Sequence, residues 1–220
     1  MNIAENINEI RKHLPSKVEL ICVSKFQSDA AIMQAYNAGE RHFGESRVQE
    51  LCGKYERLPK DICWHFIGHL QTNKVKYIVP FVTLIHSVDS VNLLHEIENQ
   101  AAKIGRKINC LLQIHIATEE NKFGFAVDEL PAVLQQNNFS NLHNVNVCGL
   151  MGMASLTDNQ KQIHDEYNCI AELFTTCKQV FFENKNDFTQ LSLGMSHDYQ
   201  LAIESGSTMV RIGSSIFNND

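Results

Sequence analysis

Val18-Glu19-Leu20-Ile21-Cys22-Val23-Ser24-Lys25 decides the reading of this chain, because a strongly apolar, β-branched run ends there on a lysine. Runs of the same kind recur at Arg41–Gly44, Cys63–Ile67, Val82–Ser87, Cys110–Ile116, Val145–Leu150, Gln190–Leu193 and Thr208–Ile212. Segments of helical periodicity separate them. Ile3, Ile7, Ile10 and Leu14 mark a helix before the first strand, stopped by Pro15. Ser28 reads as the cap of a helix ending at Gly39, and a polar helix runs to about Leu58. Further helices are expected over Leu70–Val79, from Asp89 or Ser90 to Gly105, over Asp128–Gln136, near Asp158–Phe182, and in a segment ending at Gly206. Eight short strands alternating with helices predict parallel βα units closed into one α/β barrel, a single (β/α)8 domain over residues 1–220 with an extra amino-terminal helix.

The bulk properties narrow the function. Hydrophobic residues make up 44% and charged residues 20%, as in an ordinary folded protein. The net charge of −6 argues against a large nucleic-acid or anionic-membrane footprint. No stretch approaches a membrane span, and Met1-Asn2-Ile3-Ala4-Glu5 does not read as a secretory leader. Seven scattered cysteines without a Cys-x-x-Cys pair read as buried thiols in a reducing cytoplasm.

In such a barrel, residues just after the strands share one mouth. Lys25, Gly44-Glu45-Ser46 and Ser196 should therefore converge. An amine where water is scarce favours its neutral, nucleophilic form, which traps aldehydes. Leu191-Ser192-Leu193-Gly194-Met195-Ser196 and Met209-Val210-Arg211-Ile212-Gly213-Ser214-Ser215 read as a phosphate cradle. Gly194 and Gly213 would let backbone approach an anion, Ser196 would cap the following helix, and Ser214-Ser215 would open a terminal helical turn. Arg211 is a fixed donor able to face a heteroatom of a bound ring. An aldehyde-trapping lysine opposite a phosphate site points to pyridoxal phosphate. Ordinary roles compete: a lysine after a strand is commonly solvated, and Gly-x-Ser marks many simple turns. His65 and His69 stand at four-residue spacing, but they straddle a strand end without a placed acidic partner, so polar packing outweighs a metal pair. Lys122, in a charged loop, is a second but ordinary amine.

Val23-Ser24-Lys25, His42-Phe43-Gly44-Glu45, Trp64-His65-Phe66-Ile67-Gly68, Leu70-Gln71-Thr72-Asn73-Lys74, Leu193-Gly194-Met195-Ser196 and Gly206-Ser207-Thr208-Met209-Val210-Arg211-Ile212-Gly213 occur in this order. With them, the chain resembles the pyridoxal phosphate homeostasis proteins over nearly its full length. The resemblance implies a barrel of the alanine racemase amino-terminal-domain type (fold type III of pyridoxal phosphate proteins), with the cofactor as a covalent imine on Lys25. It implies a cofactor-binding set of Lys25, Ser46, Ser192, Met195, Ser196, Arg211, Gly213 and Ser214, with no catalytic residue and no metal. Ser196, Gly213 and Ser214 would hold the phosphate, and Arg211 would sit by the pyridine nitrogen and weaken the ring as an electron sink. Two positions depart from the family pattern: Ser46 replaces its usual Asn, and Asn121 stands where a small hydroxyl residue is commoner.

The function so implied is a monomeric, cytoplasmic protein that buffers or delivers pyridoxal 5′-phosphate, with apo-enzymes as candidate recipients and no efficient reaction of its own. One barrel uses up the chain, leaving no second domain to supply an opposing base. The alternatives are a racemase or lyase of small amino acids using the same cofactor, or a Schiff-base aldolase without it.

Overall fold

The computed structural model describes residues 2–116, 123–137, 139 and 142–217. Strands β1 (Glu19–Val23), β2 (His42–Glu45), β3 (Cys63–Phe66), β4 (Leu84–Val88), β5 (Ile108–His115), β7 (Val145–Gly152), β8 (Gln190–Ser192) and β9 (Met209–Ile212) are the predicted eight. Every neighbouring pair is parallel, and β4 pairs with β5 as β1 pairs with β9, which closes the ring. The sequence reading missed β6 (Phe125–Ala126), a two-residue strand laid outside the ring on Ile114 and His115 of β5. A segment that short has no periodicity to read.

The helices follow their local chemistry. In α1 (Ile3–His13), the Asn2 side chain accepts from the Glu5 amide while the Glu5 carboxylate accepts from the Asn2 amide, a reciprocal cap. Ile3, Ile7 and Ile10 bury its apolar face against α2 (Asp29–Asn37) and α9 (Ser214–Phe217), and Asn6 donates to the Ile216 carbonyl. α3 (Val48–Arg57), α5 (Val91–Lys103, capped by Ser90) and α7 (Gln160–Val180) match expectation within a few residues. The helix expected over Leu70–Val79 is shorter: a 3₁₀ turn at Thr72–Lys74 runs into α4 (Val75–Ile78), with no side chain capping either start. α6 (Leu130–Gln136) begins two residues late, where Pro131 fits the first turn because its missing N–H would be unpaired there. α8 (Tyr199–Glu204) completes the set, and no described helix is long and apolar enough to cross a membrane.

Alternation along the strands sorts the core into two layers. Leu20, Cys22, Phe43, Trp64, Phe66, Leu112 and Ile114 turn outwards into one large cluster with the helices. The apolar cluster inside the ring is small: Leu84, Leu111, Cys148, Met151 and Met209. His65, His86, Ser192 and Arg211 are also buried, which gives this barrel a strongly polar interior. All seven cysteines are free thiols, four of them buried.

Gly149 sets the seam between β7 and β8. Its φ is +157°, and a Cβ there would stand 1.7 Å from the Gln190 carbonyl oxygen, so no side chain fits without moving a paired strand. Gly149→Ala should lower the unfolding free energy by about 3 kcal/mol, seen as a lower urea midpoint. An unchanged midpoint would show that the seam yields.

Candidate functional site

The strand ends leave a cavity of ≈360 Å³ lined by Val23, Lys25, Ser46, Ile67, Met153, Met195, Ser196, His197, Arg211, Gly213 and Ser214. Seven of the eight predicted binding residues are brought together here. The eighth, Ser192, lies at the end of β8 behind Arg211 and reaches the cavity only through it. The described lining holds an amine, a guanidinium, an imidazole and three serine hydroxyls, and no carboxylate. Val23, Ile67, Met153 and Met195 supply apolar walls. A hollow of ≈490 Å³ adjoins it across Ser196 and His197, but Asp158 and Glu204 line that one and suit it poorly to an anion.

Three expectations need correction. Lys25 is exposed, not set where water is scarce: β1 ends at Val23, Ser24 takes the last buried position, and Lys25 stands in the turn beyond. Ser196 does not cap α8. Its hydroxyl accepts from the Gly213 amide at 3.2 Å and ties the loops after β8 and β9 together, while Asp198 occupies the cap position and takes the Met195 amide at 2.6 Å. Gly194, at φ +91°, serves packing and not anion approach: a Cβ there would meet Tyr199 Cα at 2.8 Å. Lys122 and Asn121 lie outside the described residues.

The turn that carries Lys25 is pinned on both sides. Ser24 Oγ donates to Glu45 Oε1 at 2.6 Å, and Lys54 Nζ donates to the same oxygen at 2.7 Å and to the Ser24 carbonyl at 2.8 Å. On the far side, the Phe26 amide donates to Glu50 Oε2 at 3.2 Å, and Phe26 holds the left-handed φ of 65° that sharpens the turn. Burial pushes the Glu45 carboxyl above its usual range, against the pull of the Lys54 and Ser24 hydrogen bonds. Sequence reading passed over Lys54 as part of a polar helix. The signal lay in the four-residue step from Glu50 to Lys54 on α3, which puts both on one face.

Arg211 is held from two sides. One terminal nitrogen donates to the Ser192 carbonyl at 2.7 Å and to Ser192 Oγ at 2.6 Å, and the other donates to the Gly152 carbonyl at 2.9 Å. Behind Ser192 stand His86 and His65, both buried. His69 points elsewhere: it lies 2.9 Å from Asp89, an acidic partner the sequence did not place, and stacks on Phe123 at 3.7 Å. His65 and His69 therefore serve different neighbourhoods, and the described residues contain no cluster able to hold a metal.

Burial, aided by the charge of His42, depresses His65 from 6.5 to about 3, and burial with His65 and Arg211 beside it holds His86 well below its usual value. The unfolded chain therefore binds protons that the fold refuses. Stability should be full above about pH 6.5 and fall with acidification, by about 1.4 kcal/mol per pH unit for each of the two imidazoles. Urea midpoints between about pH 7 and pH 5 check this, and a flat profile would contradict it.

Residues 1–219 match the family model described as alanine racemase, N-terminal domain. The pyridoxal phosphate homeostasis protein of Aquifex aeolicus is 36% identical over 228 residues, covering 99% of this chain and 98% of the relative. That of Synechocystis sp. is 38% identical over 214 residues, covering 96% of each. Among solved structures, PipY of Synechococcus elongatus superposes with a TM-score of 0.92 without PLP (37% identity) and 0.89 with PLP bound (36%). Both comparisons cover 99% of this chain and 100% of PipY.

Proposed function

The chain belongs to the pyridoxal phosphate homeostasis proteins, built on the alanine racemase amino-terminal domain, and from that premise we propose that its cavity binds pyridoxal 5′-phosphate. The observation that carries this reading is the makeup of the cavity: Lys25 and Arg211 face one space with Ser196, Gly213 and Ser214, and among the described residues that line it no carboxylate opposes an anion. When bound, the cofactor brings an electrophilic aldehyde and an electron-withdrawing ring. Every group needed to receive it belongs to this chain. Lys25 would supply the amine that holds the aldehyde end. Ser196 and Ser214, with the backbone N–H groups at the start of α9, would hold the phosphate. The apolar walls would take the faces of the ring, and Arg211, a donor that keeps its proton, would serve the ring nitrogen.

Such a site retains the cofactor more readily than it uses it. An arginine leaves the ring nitrogen unprotonated and the ring a weak electron sink. We therefore read the protein as a cytoplasmic, monomeric buffer or carrier of the cofactor, with apo-enzymes as recipients. One observation favours a second reading, weak racemase or lyase activity: His197 lines the same cavity with Nε2 3.4 Å from Asp198, a base within reach of a bound amino acid.

Borohydride reduction of the cofactor-saturated protein followed by peptide mapping should label Lys25, and Lys25→Ala should lose both the label and the imine absorbance band. Label on another residue, or none, overturns covalent attachment at Lys25. The same saturated protein should leave the optical rotation of L-alanine unchanged, whereas turnover at ordinary enzyme rates would establish the second reading.

Ser196→Ala should weaken pyridoxal phosphate binding by about tenfold while leaving pyridoxal nearly unaffected, because a hydrogen bond to a charged phosphate is lost. Equal losses for the two ligands in equilibrium titrations would remove Ser196 from the phosphate site.

A further inference from the structure

A single row of hydrogen bonds runs through the barrel from its lower mouth to Arg211, and cofactor binding as described above does not use it. Glu19 Oε1 lies 2.8 Å from His42 Nε2. His42 Nδ1 lies 2.9 Å from His65 Nε2, and His65 Nδ1 lies 2.9 Å from His86 Nε2. His86 Nδ1 lies 3.0 Å from Ser192 Oγ, which accepts from Arg211 at 2.6 Å. Strand register builds the row. His65 pairs with Gly44, two residues beyond His42, and His86 stands two residues beyond Leu84, the partner of His65. Each imidazole is thereby raised one inward-facing step above the last. Only the lower end meets water: the His42 and Glu19 side chains are about one-third exposed, while His65, His86, Ser192 and Arg211 are buried.

The two ends fix every proton between them. A guanidinium only donates, and an ionised carboxylate only accepts. Burial raises the Glu19 carboxyl, but the hydrogen bond from His42 together with the charges of His42, His65 and Arg11 brings it below its usual range. Between the ends stand one hydroxyl and three imidazoles, each with one proton and one acceptor site along the row. A single arrangement satisfies all five contacts. Ser192 gives its hydroxyl proton to His86 Nδ1, and each imidazole carries its proton on Nε2 and accepts on Nδ1. Any other neutral arrangement sets two donors or two acceptors face to face in a dry interior.

We propose that this row is a positioning device for Arg211. The carboxylate at the lower mouth sets the direction of every hydrogen bond above it, which turns the Ser192 lone pairs towards the guanidinium and holds Arg211 against the cavity. His42, His65 and His86 are positioning residues that act through Ser192, and they touch no ligand. The consequence for the ligand rests on the cofactor reading given above; the proton directions do not.

The test has two arms. In ligand-free protein labelled with 15N-histidine, two-bond proton–nitrogen correlation near neutral pH should show His42, His65 and His86 each with its row proton on Nε2 and with Nδ1 unprotonated. A proton on Nδ1 of any of them, or an imidazolium at His65 or His86, overturns the row. In the second arm, His86→Phe keeps a ring but removes the acceptor of the Ser192 proton. It should weaken pyridoxal phosphate binding by about tenfold and shift the absorbance band of the bound cofactor. His86→Asn, with an amide oxygen near the lost Nδ1, should recover most of both. A His86→Phe variant folded by circular dichroism, with wild-type affinity and band, overturns the positioning role. Should that variant not fold, Ser192→Ala takes its place with the same expected and opposing results. A wild-type protein that takes up no pyridoxal phosphate defeats the cofactor reading, and the tautomers then decide the row alone.

Discussion

A guanidinium cannot discard its proton to escape a dry interior, so the burial of Arg211 constrains everything around it. Burial works against its charge, and Asp198 and the Tyr167 hydroxyl, which share a hydrogen bond of 2.8 Å, favour it from the α7–α8 side. The direct compensation comes from the ends of β7 and β8, where Gly152 and Ser192 offer carbonyls and a hydroxyl. Those acceptors sit correctly only if the ring closes with its present register. Gly149 allows β7 to run against β8, and the bulge between Cys110 and Leu111 reconciles β7 with β5. The barrel and the cation in its mouth therefore specify each other.

A second buried charge arrangement does the same for the opposite wall. Lys54 and Glu45 form an ion pair at 2.7 Å with both side chains almost wholly buried, and both also hydrogen-bond to Ser24. Taking either partner away would strand the other, so the pair fixes the turn firmly although it adds little net stability. The site thus has a rigid frame, with Arg211 on one side and the Ser24–Lys54 anchor on the other. Between them Lys25 is left free of hydrogen bonds to either anchor and is exposed at the cavity, as the proposed attachment of an aldehyde there requires.

Much of this was legible in the sequence, for physical reasons that also mark where legibility stops. The eight strands announce themselves because each buries one face against helices, and that burial writes apolar residues at alternate positions from Leu20 to Ile212. Lys25, Ser46, Ser196 and Arg211 converge because a parallel barrel sends all its strand ends to one rim. What could not be read was the cross-strand arrangement. His42, His65 and His86 lie on three strands, and only register reveals that they form a line. The exposure of Lys25 depended on where β1 stops: Val23 is its last residue and Lys25 stands in the turn beyond, a boundary that periodicity does not resolve. Ser196 looked like a helix cap because a serine before a helix commonly is one, but α8 begins only after Asp198, whose side chain turns back to the Met195 amide and leaves the helix start without a side-chain cap.

The two halves of the site meet in one claim: the space between Lys25 and Arg211 receives pyridoxal phosphate with its aldehyde carbon towards the lysine and its phosphate towards Ser196 and Ser214. X-ray diffraction from crystals soaked in the cofactor tests that placement most directly. Difference density should be continuous with Lys25 Nζ, with a phosphate peak within hydrogen-bonding distance of Ser196 and Ser214 and the ring edge against Arg211. Density in the neighbouring hollow beside Asp158 and Glu204, or a ring turned with its phosphate towards Lys25, would contradict it.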